Sequence, residues 1–148
     1  MTKNEFLEMT KKGFNLFGFK QHKKIFTYEH EEFFIHFILL RSNYSDCYYL
    51  DINCSIKALH EDIMPEDKYF DFVGQPRITI LDGPCQLKPE ELNAEKYRVT
   101  LHNTIKTVLG NINKKGLSFI KELESNNDKI ITCRGIFRER AREYLYGL

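Results

Sequence analysis

Apolar side chains crowd residues 23–56 in a pattern whose period changes as the chain advances. Residues 24–29 alternate, with Phe26 and Tyr28 on one face and Ile25, Thr27 and Glu29 on the other, which predicts a short strand. In residues 33–40 the odd positions Phe33, Ile35, Phe37 and Leu39 are all apolar, and the even positions Phe34, His36, Ile38 and Leu40 are nearly so. A strand apolar on both faces is expected to be central and covered twice. Residues 47–56 return to a clean period of two. Tyr48, Leu50, Ile52, Cys54 and Ile56 fall on one face, and Cys47, Tyr49, Asp51, Asn53 and Ser55 on the other. Between these two strands the run Ser42-Asn43-Tyr44-Ser45-Asp46 predicts a hairpin turn. Residues 57–76 give no clear period, although residues 58–64 could form a helical turn before Pro65. Residues 77–81 alternate well enough for a fourth strand, ended by Asp82-Gly83-Pro84. No connection among the first three strands can hold a crossover helix, so they are expected to form an antiparallel meander.

Helical spacing brackets this sheet. Thr2 and Glu5 have the capping-box spacing, and Phe6, Met9, Gly13, Phe14 and Phe17 then share one stripe. Gly18 stands where a left-handed residue would end that helix, predicting it over residues 3–16. Downstream, Pro89-Glu90-Glu91 reads as a helical first turn. Val99, Leu101, Ile105, Val108, Leu109 and Ile112 recur at helical spacing over residues 94–113. Gly116 divides that helix from another over residues 117–125, and residues 136–146 form a last one with Phe137, Ala141, Tyr144 and Leu145 inward. The expected fold is a single α+β domain over residues 1–148: an antiparallel sheet of about four strands, with the N-terminal helix and the C-terminal helices packed on it.

Composition narrows the function classes. A length of 148 residues is that of one domain with a sizeable core. Twelve Phe and eight Tyr without a Trp make that core Phe-built. The formal charge of +1 supplies no global field for nucleic acid or an anionic membrane, and neither is expected as a partner. No window approaches a membrane span and the first residues do not resemble a signal peptide, so a cytoplasmic location is expected. Cys47, Cys54, Cys85 and Cys133 show no CxxC spacing and are read as reduced thiols. Cys47 and Cys54 would lie about 23 Å apart on one strand, beyond bridging. Cys54 shares the core parity, so it is expected to be buried, and Cys47, near the turn, to be the more accessible.

Candidate chemistry is sparse. No phosphate loop, HExxH pair, GxSxG elbow or EF-hand loop is present. His30, His36, His60 and His102 have no ligand spacing with the cysteines, so neither a metal nor a cofactor is expected. Cys47 with His36 would be a nucleophile and base only if brought together. A rim thiol and a hydrogen-bonded histidine are the plainer reading. Arg134, Arg138, Arg140 and Arg142 interleave with Glu139 and Glu143, which predicts a solvated, salt-bridged helix face. The best cluster is His36, Tyr49, Asp51, Asn53 and Arg77, whose side chains on one sheet face would stand about 5 Å apart and could converge on a small ligand. The alternative is that this face is simply solvated.

The chain resembles the bacterial domain-of-unknown-function 4304 family. The resemblance is carried by Gly18-Phe19-Lys20, Leu39-Leu40-Arg41-Ser42-Asn43-Tyr44, Tyr48-Tyr49-Leu50-Asp51-Ile52-Asn53 and Gly116-Leu117-Ser118-Phe119-Ile120. It implies a small cytoplasmic α+β domain and no assigned activity. Members often carry an amide residue where Leu40 stands and a basic-polar motif near Arg77. Leu40 departs from that pattern, so the resemblance implies a shared polar position only at Arg77. The expected function is a non-enzymatic binding or protein-interaction module, in one version an immunity-like protein that neutralises a partner toxin. An enzyme or small-ligand protein using the polar face is the competing expectation.

Overall fold

The computed structural model describes residues 1–61, 86–126 and 135–147, leaving aside the side chains of residues 123–126 and 135–138. Helix α1 (Lys3–Leu16) begins at the expected capping box. The Glu5 amide donates to Thr2 Oγ1 at 3.1 Å, and the Thr2 amide donates to Glu5 Oε2 at 3.2 Å. The helix is left through Gly18 at φ +83°, a backbone angle that glycine adopts without a Cβ clash. Strands β1 (Lys20–His22), β2 (Ile25–Glu29), β3 (Phe33–Arg41) and β4 (Tyr48–Ile56) follow as an antiparallel meander in chain order. Two short 3-10 turns come next, Lys57–Leu59 and Pro89–Glu91. Helices α2 (Ala94–Lys115), α3 (Leu117–Asn126) and α4 (Gly135–Tyr146) complete the described elements. The fold is the expected α+β class with a four-stranded antiparallel sheet.

The fourth described strand differs from the one expected. It is β1, an exposed tripeptide at the sheet edge that pairs Lys20 with Thr27 and His22 with Ile25. It has no apolar period to betray it; the chain leaving α1 simply turns back along β2. Residues 77–81, expected as a strand, lie outside the described residues. Leu87 extends the sheet locally by exchanging two 2.8 Å backbone hydrogen bonds with Tyr48.

The core lies between the sheet and the helices. Odd residues of β3 and even residues of β4 face α1 and α2, and almost every side chain there is buried. Phe14 is its aromatic hub, stacked on Phe26 at 4.4 Å and in ring contact with Phe19 and Phe37. Full burial of each such ring contributes about 1.5–3 kcal/mol. Phe119, Ile120, Ala141 and Leu145 bring α3 and α4 into the same core. Two apolar residues expected inside do not reach it: Val99 and Tyr144 are 41% and 43% exposed. Each stands at the margin of its helix's apolar stripe, where spacing alone cannot tell edge from centre.

A buried hydrogen bond clamps α1 to α2. Thr10 Oγ1 lies 2.7 Å from Tyr97 Oη and donates to the Phe6 carbonyl at 2.8 Å. Burial pushes the Tyr97 hydroxyl above its ordinary pKa, so it stays a neutral phenol. Removing the two partners should cost unequal amounts. Tyr97→Phe leaves Thr10 satisfied by the Phe6 carbonyl and should destabilise by about 1 kcal/mol. Thr10→Val strands the buried phenol and should cost about 1–3 kcal/mol. Urea denaturation of both variants checks the order, and an equal or reversed cost would show that the clamp is wet.

Candidate functional site

The register of β3 against β4 brings the expected polar cluster onto one face. His36 is opposite Asn53, Ile38 opposite Asp51 and Leu40 opposite Tyr49. On the other side of β3, Thr27 of β2 is opposite His36. The face assignment of His36, Tyr49, Asp51 and Asn53 therefore holds, whereas Arg77 lies outside the described residues.

What differs is the surrounding. This face is not solvated: Phe34, His36, Ile38, Asp51, Asn53 and Ser55 are all buried, the polar four at 1% exposure or less. Tyr49 is half-exposed, like Leu40 and Thr27, its hydroxyl accepting from Gln86 Nε2 at 3.0 Å. Ile25 and Ile38 form a small apolar cluster of their own here, with Leu40 against it. The sheet is thus covered on both faces, with a polar seam running through the second. A buried polar seam is stable only when its groups are bonded.

His36 shows how that requirement is met. Nδ1 lies 2.9 Å from Thr27 Oγ1 and Nε2 lies 2.9 Å from Ser55 Oγ. Both ring nitrogens are thereby engaged by hydroxyls, which can each donate or accept and so match either neutral tautomer. Burial, helped by the electrostatic influence of His60, lowers the His36 pKa to about 3. The ring is a neutral bridge across three strands, with no lone pair left for a metal and no base at the surface. Asp51 and Asn53 continue the seam, and each makes an interaction of its own.

The Cys47–His36 pair is not formed. His36 is opposite Asn53, six residues from Cys47 along one strand, which amounts to about 20 Å. Cys47 is also not the accessible thiol expected. Neither it nor Cys54 is in a disulfide, and both are fully buried. The turn folds over Cys47, with Ser45 Oγ 3.1 Å from its sulfur. That hydroxyl, helped by those of Tyr49 and Ser42 and by the Lys88 charge, holds the thiol below its ordinary pKa against the opposing effect of burial.

Sequence reasoning missed two accessible features. The β3–β4 turn is braced from within. Arg41 Nη2 donates to Asp46 Oδ1 at 2.9 Å, the Tyr44 amide to Ser42 Oγ at 3.1 Å, and the Ser42 amide to the Cys47 carbonyl at 2.9 Å. Tyr44 projects from this braced loop with 98% of its surface exposed. Beside the turn, a groove of about 580 Å³ runs between α1 and the ends of the strands, and its rim is rich in lysine. The lysines were visible in the sequence, but they come from two separate segments.

The depressed His36 pKa makes stability depend on pH with a definite sign. The unfolded chain takes up the His36 proton near the ordinary pKa of 6.5, and the folded chain does not until about 3. The unfolded state is therefore favoured as pH falls through that window. Between pH 7.5 and 5 the wild-type chain should lose about 2 kcal/mol through this group, at 1.36 kcal/mol per unit below 6.5. His36→Gln should lower stability at neutral pH and remove that part of the slope. Urea titrations of both proteins at the two pH values check it, and an unchanged slope would mean that His36 is hydrated.

The comparisons with known proteins bear on family rather than chemistry. No curated protein and no solved structure matches the chain. The profile of a domain of unknown function, DUF4304, matches residues 11–132. That span holds the Phe14 hub, the whole meander with its buried polar seam, and helices α2 and α3. The chain belongs to the DUF4304 family.

Proposed function

We propose that this chain is a non-catalytic protein-interaction module of the cytoplasm. The observation that carries this reading is the burial of His36 with both ring nitrogens bonded to Thr27 and Ser55. The histidine best placed to be a base is occupied by holding strands together. In the same molecule a tyrosine stands almost fully exposed on a braced turn. A rigid, amphipathic ring on a pre-organised loop is the kind of anchor that protein interfaces use at their energetic centre. Among the described residues no helix is long and apolar enough to cross a membrane, which is compatible with this reading.

An immunity-like role, in which the module neutralises a toxin, is the narrower form. It draws on the small α+β architecture alone and is therefore fold-level analogy. A toxin gene beside the coding sequence supports that form, and a metabolic operon counts against it. The competing small-ligand reading places the ligand against Asp51 and Asn53, which are closed from solvent.

Affinity capture from the native host, with wild type and Tyr44→Ala in parallel, tests the module reading. The expected result is a stoichiometric protein partner whose recovery falls with the variant, consistent with loss of about 2 kcal/mol at an interface anchor. A wild-type chain that carries a bound small molecule in native mass spectrometry, with no Tyr44-dependent protein, would contradict it.

A further inference from the structure

The groove beside the braced turn has a composition that selects one kind of partner. Resting on the module reading above, we infer that it docks an acidic segment of a partner protein that also carries apolar side chains. One wall is α1, where Lys3, Leu7 and Lys11 recur every fourth residue and so share one face. Lys3 and Lys11 are about 12 Å apart at 1.5 Å rise per residue. The other wall is the β1–β2 turn with Lys23 and Lys24, and Arg41 closes one end. All these cations are exposed, and among the described residues Glu8 is the one carboxylate in the lining.

Charge complementarity identifies the occupant. The chain as a whole is balanced, with 22 basic and 21 acidic residues, so the excess in this groove is local segregation. Arg41 is already bound to Asp46 at 2.9 Å, which leaves the lysines as the charge available to a ligand. Beneath them Leu7 and Leu39 make an apolar floor. A span of about 12 Å accommodates roughly four residues of extended chain. Carboxylates of such a segment would meet lysines on either wall while an intervening apolar side chain covers the floor.

Nucleic acid fits less well. Among the described residues the two aromatic rings in the lining, Phe26 and Tyr48, are 2% and 5% exposed and offer no stacking platform. The Arg41 guanidinium, which could have grasped a phosphate or base edge as a fork, is committed to Asp46. Arg41 also borders the cleft of residues 41–46 that carries Tyr44, so the groove and the exposed ring form one continuous surface.

The test is a titration of the 15N-labelled full chain, followed by amide shifts. The probes are a decapeptide of Glu, Asp and Leu, its counterpart with Lys in place of every acid, and a single-stranded DNA decamer. The acidic peptide should move the amides of Lys3, Leu7, Lys11, Lys24 and Arg41 together and saturably, and the lysine peptide should not. Lys11→Glu combined with Lys24→Glu, both at exposed positions, should weaken that binding by at least about tenfold, since it sets like charges against the ligand. Scattered or absent shifts, or full binding by the double variant, would overturn the inference, as would tighter binding of the DNA through the same amides. Acidic-peptide shifts confined to residues 42–46 would also overturn it, while leaving the module reading standing. Loss of Tyr44-dependent capture bears on the module reading separately.

Discussion

The nine-residue ladder between β3 and β4 is the constraint on which the remaining structure depends. It pairs Phe33 with Ile56 at one end and Arg41 with Tyr48 at the other. Because both strands are covered on both faces, a slip of one residue would exchange every side chain between two chemically different environments. Phe37 and Ile52 would enter the polar seam, and His36 and Asn53 would be driven into the Phe14 cluster. Neither layer tolerates that exchange, so the register is held from both sides. The position of α1 follows, since Phe6 and Phe14 have a receptive surface only where odd β3 and even β4 residues meet.

Much of this was legible from the chain. The bounds of α1, the hairpin, the chemically distinct faces of β4 and the break at Gly116 all follow from period and capping chemistry, and the structure agrees with them. Legibility stopped where covering begins. Alternation in β4 reports that its faces differ, but not whether the polar face is wet. Asp51 and Asn53 look like a solvated surface in sequence and are buried in the fold. The missing information is non-local, because a polar residue can be buried only if distant groups satisfy it. For His36 those groups are Thr27 and Ser55, nine and nineteen residues away. The even apolar positions Phe34 and Ile38 around His36 were the one local sign that this face would be dry.

The two accessible features were harder to read for the same reason. Lys3, Lys11, Lys23, Lys24 and Arg41 are unremarkable in a balanced sequence, and become a groove only when α1 crosses the strand ends. β1 escapes hydrophobic pattern altogether because all three of its residues are exposed. Fold and surface thus divide the residues cleanly. Polar groups in the middle of the sheet hold strands together, while charge and an aromatic ring at its ends stay exposed.

The central claim is that the His36 seam is an internal, dry layer rather than an open site. Proton NMR of the His36 imidazole across pH tests this most directly. The account predicts that its ring resonances stay at their neutral positions from pH 8 down to 5, as the pKa of about 3 requires. A ring that titrates near its ordinary value of 6.5 in the folded protein would show the face open to water and contradict the account.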